Sequence, residues 1–127
     1  MTVEAWVDEF AQKVCARDVE GALSLFHPDC LSFGTRILVA RDRGELAAHQ
    51  WTPIWNATTN FQFTEIATVA HGSDAVVIAA QWSSTANLDK RQRSGRATLV
   101  LVSDPSARHG WVCTHTHFSL PPQAEAL

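Results

Sequence analysis

The chain has 127 residues, of which 46% are hydrophobic and 18% charged, and its formal net charge is −3. This length predicts a single domain over residues 1–127, and the balance of apolar and charged residues excludes a disordered chain or a coiled coil. The slightly acidic charge argues against a nucleic-acid partner. The longest apolar runs, residues 75–80 and 97–102, are too short to cross a membrane, so no membrane association is expected.

The opening sequence MTVEAWVDEF carries acidic residues where a secretory signal carries basic ones, which predicts a cytoplasmic protein. The three cysteines are an odd number and have no short Cys-x-x-Cys spacing. They therefore indicate neither a disulfide framework nor a zinc site. We expect no cofactor and no metal ion.

Apolar residues at helical spacing predict three helices in the first half of the chain. The clearest covers residues 2–17. A second, short helix is predicted to carry Phe26 and to be stopped by Pro28. A third is predicted from Asp42 to about Ala57, with a kink at a proline inside it.

The second half of the chain alternates between extended segments and turns. The predicted strands are residues 61–70, 75–85, 95–103 and 111–120, and two short extended pieces precede them at 30–34 and 37–40.

The middle strands are apolar on both faces, because Val76 and Ile78 point one way while Val77 and Ala79 point the other. The three predicted helices can cover one face of the sheet, which leaves the other face uncovered. We therefore expect a second copy of the chain to cover the other face, which predicts a homodimer built sheet against sheet.

A spaced motif, W-x-x-x-H-x-H-x-S-x-x-P, lies near the end of the chain and comprises Trp111, His115, His117, Ser119 and Pro122. With the order of two helices, short strands, a third helix and a long meander, it resembles the SnoaL-like branch of the nuclear transport factor 2-like superfamily. A similar H-x-H-x-S stretch ends the association domain of calcium/calmodulin-dependent protein kinase II. The resemblance implies a cystatin-like α+β fold. In it, a cone-shaped, curved antiparallel sheet wraps around the long N-terminal helix, with two further helices and one deep, mostly apolar pocket.

This superfamily contains isomerases, dehydratases, cyclases and non-catalytic assembly domains, so the resemblance leaves the function open. Its ketosteroid isomerases use a tyrosine donor and a carboxylate base, and the resemblance aligns Phe10 and Gly34 with those positions. The sequence has no tyrosine. Steroid isomerisation by that pair of residues is therefore not expected.

The last predicted strand carries two histidines at alternate positions, so Cys113, His115 and His117 are predicted to share one face. At about 3.3 Å per residue the two histidine Cα atoms would be about 6.6 Å apart. Such a pair suits a structural role, acid–base or ligand contact, or metal binding, although no third metal ligand is obvious. We interpret His115 as the candidate for proton transfer and His117 as the residue that orients it.

Six further residues are candidates for ligand binding: Phe33, Trp51, Trp55, Glu65, Trp82 and Arg96. The aromatic rings either line a pocket for a flat apolar ligand or pack in the core. Glu65 and Arg96 either face the pocket or remain solvent-exposed charges. The basic stretch around Arg91 and Arg93 is interpreted as a solvated loop.

The sequence thus predicts a domain that binds a small apolar or carbonyl-bearing molecule. The histidine pair suggests proton-transfer chemistry of the isomerase, lyase or cyclase type. The alternative is a non-catalytic module that binds a ligand or assembles with itself.

Overall fold

The computed structural model describes residues 2–126 and consists of helical elements packed on a five-stranded sheet. The helical elements are α1 (Val3–Ala16), α2 (Val19–Leu23), α3 (Arg43–Leu46), a π-helical turn (Ala47–Trp51) and α4 (Thr52–Asn56). The strands are β1 (Phe26–Phe33), β2 (Thr58–His71), β3 (Ala75–Ala86), β4 (Gln92–Ser103) and β5 (Trp111–Ser119). The predicted α+β class with a curved sheet is confirmed.

Helix α1 forms where its sequence supplies both a cap and an apolar stripe. The Thr2 side chain accepts a hydrogen bond of 3.0 Å from the Ala5 N–H, and Arg17 ends the helix in a left-handed conformation with φ of 57°. The buried stripe, at helical spacing, consists of Trp6, Val7, Phe10 and Val14. None of the helices within residues 2–126 is long and apolar enough to cross a membrane.

The second helix is shorter than the sequence predicted, since α2 ends at Leu23 and Phe26 already begins β1. Pro28 disfavours helical geometry at the residue before it and removes a backbone donor. Phe26 is 1% exposed and packs edge-on against Trp51, with ring centroids 4.8 Å apart. The expectation that Phe26 belongs to a helix was wrong.

The third predicted helix is present over residues 43–56, and its middle is the wider π-helical turn Ala47–Trp51, which ends two residues before Pro53. Proline lacks an N–H and its ring clashes with the carbonyl four residues earlier in an ordinary α-helix. The wider turn accommodates this residue without interrupting the helical path.

The sheet is open and has the strand order β1-β5-β4-β3-β2. The last four strands are antiparallel neighbours in a meander, as predicted, but β1 lies parallel to β5. This parallel pair is compatible with the chain path because β1 is joined to the meander by the helical segment rather than by a tight hairpin.

We call the side of the sheet covered by the helices the inner face and the opposite side the outer face. Four inner-face residues of the two central strands are 0% exposed, namely Val76, Ile78, Leu99 and Leu101. The outer face is also apolar at the centre, where β3 and β4 place Val77, Ala79, Val100 and Val102.

A bulge in β5 changes which residues share a face. Leu101 pairs with Cys113 and Val100 pairs with His115, so Thr114 is the extra residue on β5. Cys113 therefore lies on the inner face, 0% exposed, while His115 lies on the outer face. The prediction that Cys113 and the histidines point the same way was wrong, because the bulge reverses the alternation between them.

Candidate functional site

A small cavity of about 50 Å³ lies between the inner face and the helices. Its aromatic wall consists of Phe10, Trp51, Trp55, Phe61, Trp82 and Phe118. Its polar lining consists of Thr35, Gln50, Thr58, Ser84, Arg93 and Thr116. This volume holds a few water molecules, and a single ring enters only if the neighbouring side chains move apart.

One side of the aromatic wall is a pair of stacked indoles. Trp51 and Trp55 stand one turn apart, with ring centroids 5.0 Å apart and planes inclined by 13°. Phe10 of α1 packs against both rings, with distances of 6.0 and 6.1 Å between its ring centroid and those of Trp51 and Trp55. The two indoles are 4% and 6% exposed, so they belong to the core and present only part of their surface to the cavity.

The opposite side of the wall is Trp82, whose ring lies over Gly95 of the neighbouring strand. A Cβ atom at Gly95 would lie 2.6 Å from the Trp82 ring and would also collide with the Ser119 carbonyl. The indole N–H donates a hydrogen bond of 3.2 Å to the Arg96 carbonyl. Glycine at position 95 is thus what lets this indole lie flat against the sheet.

Arg93 supplies the charge of the site. It stands opposite Ser84 on the inner face, and its guanidinium donates a hydrogen bond of 3.0 Å to the Ser84 hydroxyl. The guanidinium carbon lies 5.3 Å from the Trp82 ring centroid, a cation–π contact. Burial, and then the nearby Arg91, lower the pKa of Arg93 from its usual value, but an arginine remains charged at neutral pH.

No carboxylate of residues 2–126 lies within 4.0 Å of the Arg93 guanidinium. Most other polar groups of the cavity are already paired. Gln50 accepts hydrogen bonds from the backbone N–H groups of Arg36 and Ile37, at 2.8 and 3.1 Å, and donates to Thr35. Gln50 therefore fixes the loop after β1 rather than serving a ligand.

A wider cleft, which we call the vestibule, opens beside the cavity and has a volume of about 560 Å³. It shares Thr35, Ile54 and Arg93 with the cavity lining. Arg36 and Arg91 also line it, and within the described chain its lining includes no acidic residue. Arg93 thus lies where the apolar cavity meets a positively charged entrance.

The ligand-binding residues predicted from the sequence divide between the two faces. Trp51, Trp55 and Trp82 line the cavity. Phe33 borders it, but the Phe33 ring packs edge-on against the two histidines of the outer face. Glu65 and Arg96 are exposed and pair with outer-face positions, so the structure does not bring them to the cavity.

The two histidines stand together on the outer face and do not line the cavity. The Nδ1 atom of His115 lies 2.6 Å from the Leu31 carbonyl oxygen, and the Phe33 ring contacts both imidazoles at 5.4 and 5.3 Å. Across residues 2–126 no cluster of three or more metal-ligating side chains occurs.

The charged residue of the cavity lining is Arg93, which the sequence pattern led us to interpret as part of a solvated loop. A signal was present in the strand pattern. Arg93 lies at even spacing from Leu99 and Leu101, which are both buried, whereas Arg96 shares its face with Val100. Extending the strand by three residues toward the loop would have placed Arg93 on the inner face.

The fold places this chain among the small α+β domains with an NTF2-like, cystatin-like architecture. The chain matches the SnoaL-like domain model over residues 3–123, and it belongs to the SnoaL-like domain family. No curated protein sequence matches it at a significant level.

Solved structures similar to this chain include an NTF2-like protein of unknown function from Pseudomonas putida, with 20% identity and a TM-score of 0.79. That match covers 97% of this chain and 87% of the other. A candidate calcium/calmodulin-dependent protein kinase II association domain from Xanthomonas campestris has 17% identity and a TM-score of 0.80, covering 96% and 87%. A candidate dehydratase of the NTF2-like family from Streptomyces avermitilis has 18% identity and a TM-score of 0.77, covering 95% and 94%. At these identities the likeness shows the fold alone.

Proposed function

We propose that this domain binds a compact apolar or carbonyl-bearing molecule in the inner cavity. The observation that carries the proposal is the cavity itself, walled by aromatic rings and opening beside a polar vestibule. Its volume of about 50 Å³ restricts the ligand, or the part of it that enters, to about the size of one ring.

Binding without acid–base chemistry is the function that this cavity supports best. General acid–base catalysis needs a group that exchanges a proton within hydrogen-bond reach of the substrate. Among the described residues, the lining contains no histidine, carboxylate, lysine or cysteine, and its one ionisable side chain is an arginine. An arginine orients and stabilises charge but holds its proton at neutral pH.

Proton transfer by His115, oriented by His117, is the second candidate function. If the Nδ1–H of His115 donates to the Leu31 carbonyl, Nε2 is left as the basic nitrogen. The substrate would then lie on the outer face, against the Phe33 ring. The similar Streptomyces protein is named as a candidate dehydratase, and its shared fold supports the proton-transfer candidate by analogy.

Titration with benzamide, a neutral molecule with one ring and one carbonyl, tests the proposal. Saturable shifts are expected for the methyl resonances of Val14 and Ile54 in the cavity, and none for Val77 and Val100 on the outer face. Shifts confined to the outer-face methyl groups would favour the histidine site instead. The absence of saturable binding at either place would contradict both functions.

A plugged cavity provides the matched control for this titration. The substitution Ile54→Trp adds bulk at the junction of cavity and vestibule and should weaken benzamide binding at least tenfold. The substitution Val69→Trp adds the same side chain at a position that is 61% exposed and outside the cavity, and should leave the affinity unchanged.

We also propose that two copies of the chain pair through their outer faces. The support is the band formed by Val77, Ala79, Val100 and Val102, which the helices of the same chain do not cover. Pairing through the outer face would bury His115 and His117, which favours the binding function over the histidine chemistry.

We propose a cytoplasmic location for the protein, and the three free thiols are consistent with it.

A further inference from the structure

We infer that the cavity selects a compact planar carboxylate, whose carboxyl group pairs with the Arg93 guanidinium while its apolar ring enters the aromatic wall. This inference rests on the proposed binding function and adds the chemical class of the ligand. Three observations carry it: an arginine with spare donors, a positively charged entrance, and a cavity too small for a large ligand.

The Arg93 side chain has more donors than the protein uses. A guanidinium carries five N–H groups, and one of them is engaged by the Ser84 hydroxyl. No acidic side chain in the described part of the chain pairs with it. A partly buried positive charge without a counter-charge is costly, so an incoming carboxylate gains both an ion pair and two parallel hydrogen bonds.

Arg93 is also held in position before any ligand arrives. Its guanidinium is fixed on one side by Ser84 and lies over the Trp82 ring, which Gly95 allows to lie close to the sheet. All four residues belong to two paired strands rather than to a loop. The N–H donors of the guanidinium are thus already held at the cavity, so the Arg93 side chain loses little conformational entropy when a ligand binds.

The charge of the entrance complements an anion. Arg36, Arg91 and Arg93 line the vestibule, although the chain as a whole carries a net charge of −3. Asp89 lies nearby in sequence, and its carboxylate accepts a hydrogen bond of 3.0 Å from the Arg91 backbone N–H. The vestibule therefore has a local positive charge that attracts anions, although the net charge of the chain is negative.

The lining distinguishes an organic acid from an inorganic anion. A phosphate ion would satisfy the guanidinium equally well. It would, however, leave the rings of Trp51, Trp55 and Phe61 without a partner on the cavity side. A single-ring carboxylate such as benzoate uses both the charge and the aromatic wall.

Benzoate, benzamide and inorganic phosphate, titrated at pH 7 by calorimetry, separate these alternatives. Benzoate and benzamide have nearly the same shape and differ in charge. We expect benzoate to bind at least tenfold more tightly than benzamide, and phosphate to bind more weakly than benzoate. In Arg93→Gln the preference for benzoate over benzamide should disappear, because the two compounds differ in the charge that only Arg93 would pair with.

The variant Arg96→Gln is the matched control, because Arg96 lies three residues further along β4 on the outer face. It removes the same charge from the same strand and should leave the preference for benzoate intact. An equal loss in both variants would overturn the inference, since the effect would then reflect net charge. Equal wild-type affinities for benzoate and benzamide, or phosphate binding as tight as benzoate binding, would also overturn it while leaving the proposed function standing. If neither ring compound binds, the proposed function fails as well.

Discussion

Arg93 and Arg96 stand three residues apart on β4 and differ in almost every physical respect. Arg93 is half-buried on the inner face, stacked on Trp82 and bonded to Ser84. Arg96 is exposed on the outer face, beside the strand that carries the two histidines. The difference shows that the side of the sheet, and not the residue type, decides whether a charged side chain lines the inner cavity.

The same contrast applies to the two groups of rings. Trp51, Trp55 and Trp82 lie on the inner side and are each less than 10% exposed. The Phe33 ring and the two imidazoles form an outer cluster that is open to solvent or to a second copy. If this division is correct, substitutions on the inner side should act on stability and on ligand affinity, and those on the outer side on assembly.

The largest effect is expected for Trp55→Ala. Removal of a buried indole leaves a cavity beside Trp51 and Phe10 and should lower the free energy of unfolding by about 3–5 kcal/mol. Chemical denaturation followed by circular dichroism measures the change. A loss below about 1 kcal/mol would contradict the close packing of this wall.

The variant Trp55→Phe separates the contribution to packing from the contribution to ligand binding. It keeps an aromatic ring of smaller size and should retain a cooperative fold, so benzamide affinity remains measurable. If Trp55 borders the ligand, the affinity in this variant should fall by up to about tenfold, because part of the ring contact is lost. Unchanged affinity in Trp55→Phe would assign the ring to the core alone.

An intermediate effect is expected for Val100→Asp, at the centre of the outer face. A carboxylate there cannot be buried in an apolar interface without a partner, so the proposed homodimer should dissociate. Light scattering should give twice the chain mass of 14.0 kDa for the wild type and the single mass for the variant. The substitution Leu88→Asp, in a turn where the residue is 98% exposed, is the matched control and should leave the dimer intact.

Wild-type mass near 14.0 kDa at all concentrations would rule out the homodimer. A larger even-numbered assembly that Val100→Asp still disrupts would instead extend the same interface to a ring.

Periodicity predicted the large elements well, because the patterns repeat over many residues. Helix α1 and the four long strands occur within a few residues of their predicted bounds. The errors arose from single residues whose effects do not repeat. The extra residue Thr114 reverses the face of His115 relative to Cys113, and nothing in the letters H-x-H distinguishes a regular strand from a bulged one.

The cavity was harder to predict than the fold for a related reason. The sequence indicated that tryptophans were available to line a pocket, and three of them do so. The charge at the pocket depends on how far β4 extends before its hairpin, and the structure begins this strand at Gln92 rather than at Gly95. Because the strand begins three residues earlier than predicted, Arg93 lies within β4 and faces the core instead of lying in the loop.

The smallest effect is expected for His115→Ala, because the imidazole lies outside the cavity. Loss of its single side-chain hydrogen bond to the Leu31 carbonyl should lower the free energy of unfolding by about 1 kcal/mol or less. The affinity for benzamide should remain that of the wild type, and His117→Ala, whose ring contacts the same Phe33, should behave alike. Denaturation and the benzamide titration measure both quantities on the same samples.

Loss of binding in both histidine variants, with cooperative unfolding retained, would move the ligand to the outer face. The His115 proton-transfer candidate would then replace the cavity as the functional site, because no side chain of the inner wall would have been changed.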